Sequence, residues 1–249
     1  MRSTAFAAQL WHGPAPWLIS VASLAFLALV LTPQSSSFLA LCGRLSLPDL
    51  ATLIDLLLPL WSPWQLALHG SLMVIAMMTP LVALQISHIW RSTPKSRRVA
   101  STIAFLLAYY TCWLLVSVVL FFLLFAVPRF LAAWADTIIV AALTSMWSAS
   151  PVAQAARNRC HKVLRIRAFG SQAYLDSLIQ GVATGANCVV ACWPWMMVPM
   201  VVDPSWHIAA MLIVTVYLFA ERIAPVAPVS WQIPPAWETF LGPLWLHRR

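Results

Sequence analysis

The 249-residue chain is 61% hydrophobic and only 9% charged, with a mean hydropathy of +0.82 and a formal net charge of +8. Soluble domains carry about 25% charged residues, so this composition excludes a water-facing globule and predicts an integral membrane protein. Its basic residues sit in short segments between apolar runs, which assigns the charge to membrane topology and argues against a nucleic-acid partner.

At roughly 20 residues per crossing there is room for about six helices and their loops. The apolar runs predict spans at 16–31, 66–86, 101–127, 130–147, 178–202 and 207–220. The first follows Arg2 but is long and lacks a small-x-small cleavage site, so it reads as an uncleaved helix and not a secretory signal. The run at 50–60 is short, includes Asp55 and ends in Trp61, Pro63 and Trp64, which predicts an interfacial helix in the first outer loop. Pro128 and Arg129 form a tight link between the third and fourth spans. The fold class is therefore all-α: one polytopic membrane domain over residues 1–249, with no internal repeat. Many of the 14 Trp residues lie near span ends, as an aromatic belt requires.

Thirteen of the fifteen basic residues fall on one side of these six spans. They are Arg2, the 87–100 loop with Arg91, Lys95, Arg97 and Arg98, the 148–177 loop, Arg222, Arg248 and Arg249. Only Arg44 and Arg129 face the other side. Both termini are thus expected in the cytoplasm. Arg157, Arg159, Lys162, Arg165 and Arg167 make a basic stretch suited to anionic lipid head groups.

The fifth span carries the chemistry. Cys188, Cys192, Met196 and Met200 succeed one another at i+4, so their sulfurs stack on one helix face. Thiolates and thioethers suit soft metals, copper(I) above all. Pro194 removes a backbone donor beside Cys192, freeing the carbonyl of Val190. One turn earlier Gly181 and Gly185 form the G-x-x-x-G of a close helix contact. The second span has its own column, His69, Met73 and Met77, with Met78 adjacent and Pro80 beyond. If the two spans face each other, antiparallel, His69 lies at the depth of Met200, Met73 near Met196 and Met77 near Cys192. Each column would then cover roughly 12 Å of membrane thickness. The plainer alternative is that Met and Cys serve as apolar packing in these helices.

These residues resemble a bacterial family of predicted metal-binding integral membrane proteins, sometimes labelled copper chaperones. Its early motif W-x-x-M-x-x-A-M-M-x-P is matched from Met73 through Ala76, Met77 and Met78 to Pro80, with Gly70 in place of Trp. Its late motif G-x-x-x-G-x-x-C-x-G-C-C-W-x-x-M is matched by Gly181, Gly185, Cys188, Cys192, Trp193 and Met196, with Val190 for Gly and Ala191 for the middle Cys. In the loop between, Cys160-His161 stands where the family has Cys-Arg, and Ala156 replaces an earlier Cys. Glu221-Arg222 looks like a closing Glu-Lys. The likeness runs over about 66–223. It implies copper handling in the bacterial inner membrane, in a multi-pass protein.

Cys160 and His161 form a candidate cytoplasmic relay to a metalloprotein, and Glu221 and Arg222 a candidate pair at the inner membrane surface. Asp136, inside the fourth span, is a functional candidate by position, while Cys112 reads as packing. No hydrolase, kinase or dinucleotide signature is present, and the seven acidic residues offer no paired carboxylates within a span, so a non-enzyme is expected. Two functions compete: a copper(I)-binding membrane protein with its site between the second and fifth spans, and a structural subunit or assembly factor within a larger membrane complex. A transporter is disfavoured because no broken helices are evident in the sequence.

Overall fold

The computed structural model describes residues 14–31, 63–126, 133–167, 171–234 and 236–237. The expected interfacial helix at 50–60, the Pro128–Arg129 link, Cys42 and both chain ends lie outside the described residues.

All regular structure among the described residues is helical: α1 (Ala15–Leu31), α2 (Pro63–Met78), α3 (Ala83–Ser92), α4 (Arg98–Ala126), α5 (Ala133–Ala149), α6 (Pro151–Cys160), α7 (Gln172–Val201) and α8 (His207–Ile223). The segments Lys95–Leu120 and Gln172–Val201 are each long and apolar enough to cross a membrane. Two further candidate spans are bent pairs, one joining α2 to α3 at 44° and the other α5 to α6 at 66°.

Both bends have a proline cause. Pro80 has no N–H, so the chain leaves α2, makes a 3-10 turn over Pro80–Val82 and restarts as α3. At this break the Thr79 hydroxyl bonds back into α2, donating to the Ile75 carbonyl, and lies 2.8 Å from the Tyr110 hydroxyl. At the second bend Ser150 is an extended N-cap whose Oγ accepts from Ala153 N at 3.2 Å, and Pro151 takes the first helical position. The second span is thus not the continuous helix expected over 66–86, α3 runs on to Ser92, and the expected loop at 148–177 contains α6. Broken helices, read as absent from the sequence, occur twice.

One dipeptide ties both breaks together. Glu221 on α8 pairs with Arg157 on α6 at 3.1 Å, and Arg157 Nη2 donates to the Ser148 carbonyl at the end of α5 at 2.7 Å. Its neighbour Arg222 donates from Nε to the Leu81 carbonyl inside the other break, at 3.1 Å. Irregular backbone in an apolar interior needs such partners, because water is not there to supply them. Glu221 and Arg222 therefore do not pair with each other at a surface; each is buried and serves a different break.

At the centre stands α7, packed most extensively on α4 and then on α6, α5 and α8. A Cβ on Gly181 would press on the Phe105 carbonyl and come within 2.8 Å of Ala108 Cβ; one on Gly185 would meet Cys112 at 3.0 Å. Only hydrogen at these positions lets the α4 backbone approach so closely. The perimeter carries exposed apolar side chains, among them Leu107, Leu115 and Val119 of α4 and Ile213 of α8.

Candidate metal centre

Cys188, Cys192 and Met196 lie on the inward face of α7 and are buried, while Met200 is half-buried at the edge of the same core. The two thiols stand one turn apart on the helix, and neither cysteine is in a disulfide. Tyr109 on α4, brought in by the glycine contact, sets its hydroxyl 3.3 Å from Cys188 Sγ. Trp113, one turn further along α4, is fully buried in the same core. Pro194 leaves the Val190 carbonyl unbonded within the helix, and the Trp147 indole takes it up at 2.9 Å. The Pro194 carbonyl accepts from Thr144 at 3.3 Å. These bonds fix the stretch of α7 that carries the thiols.

A buried cation completes the setting. Arg222 of α8 is 7% exposed and reaches into this core to donate from Nε to the Leu81 carbonyl at 3.1 Å. Cys160, expected as a cytoplasmic relay, is 1% exposed and turned toward this cluster; its carbonyl accepts from the buried Gln85 at 2.7 Å. Its burial follows from α6 being a helix packed on α7. The neighbouring His161 is half-buried, and burial together with Arg222 holds its imidazole below the usual range. Among the described residues no three His, Cys, Asp or Glu side chains converge on one point, so Cys160 stands beside the Cys188–Cys192 pair, short of a third ligand position.

The columns of α2 and α7 do not face each other as broadly as expected. The extensive neighbours of α2 are α1, α4 and α8, and it shares no large surface with α7. The glycine pair explains this: it admits α4 to the α7 face that the expected arrangement gave to α2. Met73, Met77 and Met78 are nonetheless buried in the same apolar core as the thiols. His69 stacks on His207 of α8 with ring centroids 6.4 Å apart, and His207 Nδ1 is 2.7 Å from the Pro199 carbonyl beside Met200.

Residues 68–242 match the family model described as copper chaperone, well over half of the chain. The chain belongs to the copper chaperone family. No curated protein and no solved structure matches it. Ala156 and Ala191, where the resemblance expects thiols, are both buried in the core that holds Cys160, Cys188 and Cys192.

The basic stretch divides. Arg159, Lys162, Arg165 and Arg167 are exposed, and Arg167 makes a two-bonded contact with Asp176, both distances 3.0 Å. Arg157 is buried, with its donors directed to Glu221, Ser148 and Gln154, so it is structural and is withdrawn from the lipid-facing set. Sequence reasoning missed Tyr109, Trp113, the inward role of Arg222 and the partnership of His207 with His69. The one available signal was an arginine in a predicted span end, which needs a partner when buried.

Proposed function

We propose that this chain is a multi-pass membrane protein that takes up copper(I) on Cys188 and Cys192 and passes it to a metalloprotein. The observation that carries the reading is the pair of buried thiols, neither in a disulfide, on one helix face. Binding copper(I) replaces two S–H bonds with two S–Cu bonds and releases two protons. The bis-thiolate complex bears one net negative charge, and a lone buried charge is strongly disfavoured; Arg222 offsets it. The Tyr109 hydroxyl donates to the Cys188 sulfur, and Met196 and Met77 supply thioethers in the surrounding core. Met73, Met200 and His69 form the outer approach, and Cys160 with His161 lies on the inner side.

In this reading six spans place both termini in the cytoplasm of a bacterial inner membrane, with Arg159, Lys162, Arg165 and Arg167 at the anionic lipid surface. The protein is a carrier and performs no catalysis. A second reading, a structural subunit or assembly factor of a membrane complex, is favoured by Ala156 and Ala191 standing where the resemblance expects thiols.

Elemental analysis separates the two. Wild-type protein purified under reducing conditions should carry copper that Cys188→Ala/Cys192→Ala lacks. Equal copper in both proteins, with partner subunits co-purifying in fixed ratio, would favour the second reading.

A further inference from the structure

We propose that His69 and His207 form a second copper(I) site, between α2 and α8, distinct from the thiol pair. It rests on the copper-handling reading for its cargo but on separate residues. His207 is fully buried. Its Nδ1 lies 2.7 Å from the Pro199 carbonyl, near the end of α7, where backbone carbonyls run out of helical donors. An Nδ1–H donated there puts the lone pair on Nε2. That Nε2 is buried and has no hydrogen-bond partner.

A buried imidazole whose N–H is anchored on a backbone carbonyl, with its other nitrogen unpartnered, has the arrangement of a metal-ligating histidine. The His69 ring stands 6.4 Å away, centroid to centroid, and 30° from coplanar. A ring nitrogen lies about 1 Å from its centroid and a metal–nitrogen bond is about 2 Å, so an N–metal–N unit spans about 6 Å between centroids. The separation leaves room for one ion once the two rings, stacked in this structure, turn their Nε2 edges toward each other.

The surroundings are soft. Met73 follows His69 by four residues and Met211 follows His207 by four, so a thioether lies one turn along each helix; both are buried. α2 and α8 pack on each other. Two neutral imidazoles and two neutral thioethers match a monovalent soft cation, because they add no uncompensated charge to the interior. The sequence concealed the site: the partner of the α2 column was sought on α7, while His207 read as a residue at a span end.

The test uses full-length protein in detergent, titrated with copper(I) under reducing conditions, with bound metal counted after desalting. Wild type should hold two equivalents, Cys188→Ala/Cys192→Ala one, and His69→Ala/His207→Ala one. X-ray absorption of the copper in Cys188→Ala/Cys192→Ala should show imidazole scattering, a readout that does not depend on the histidine variant folding. A histidine variant that keeps the full wild-type complement, or a cysteine variant whose copper shows no imidazole, overturns the inference. A cysteine variant that loses no metal while the histidine variant loses one would sink the thiol reading and leave this site standing.

Discussion

Arg222 is a charge placed where an apolar core would ordinarily exclude one. It closes the Leu81 carbonyl in the α2–α3 break, and in the proposed function it is the counter-charge to the copper-bound thiolates. Arg222→Leu should therefore lower copper(I) affinity, on the order of 10- to 100-fold for losing one opposite charge at an effective dielectric near 20. Competition against a chromogenic copper(I) chelator checks this; unchanged affinity would remove Arg222 from the site. Proton competition gives a second expectation at this scale. Two thiols must deprotonate to bind, so affinity should rise with pH and fall in acid, by up to about 100-fold per unit where both are protonated. The same titration repeated between pH 6 and 8 reads it, and a flat profile argues against thiolate ligation. The sulfur column of α7 was plain in the sequence because i+4 spacing is local. Tyr109 was not, because only the tertiary approach of α4 brings its hydroxyl to Cys188.

At the scale of elements, the glycine contact and the two breaks decide the packing. Gly181→Val places a branched side chain against the Phe105 carbonyl and Ala108 Cβ, and overpacking of this kind costs about 1–3 kcal/mol. Its melting temperature in detergent should fall clearly below that of Val182→Ala, an exposed neighbour. Glu221→Gln leaves Arg157 buried without its counter-charge. Removing one partner of a buried pair costs about 3–5 kcal/mol, so this variant should melt lower still, and one that melts like wild type would refute the tie between α6 and α8. The second break has a local signal that apolar-run length does not capture, Ser150-Pro151, an N-cap followed by proline. The first was half-legible: Pro80 was in view, but a proline can kink a helix without ending it, and only the 3-10 turn with Arg222 at Leu81 decides the matter.

For the whole molecule, composition and apolar runs were enough to foresee an all-helical chain, since hydropathy acts through length and content alone. Which helices would be neighbours was not foreseeable. Lipid tails and Leu side chains are equally apolar, so packing in such a medium follows close backbone approach and buried polar ties. Gly181 set one neighbour, α4, and Arg157 with Glu221 another, whereas methionine spacing set none. The basic-loop asymmetry predicts sidedness that accessibility can read. In a Cys42→Ser background, Ser205→Cys, exposed between α7 and α8, should react with an impermeant maleimide on intact cells. Arg159→Cys, exposed on α6, should react only after permeabilisation. Labelling of both from the same side would overturn the six-span arrangement.

The most direct test of thiol-bound copper is X-ray absorption at the copper edge on His207→Ala protein loaded with one equivalent of copper(I). A first shell of sulfur alone, lost in the further variant Cys188→Ala/Cys192→Ala, is the predicted result. A shell of nitrogen or oxygen, or a spectrum indifferent to the two cysteines, would contradict it.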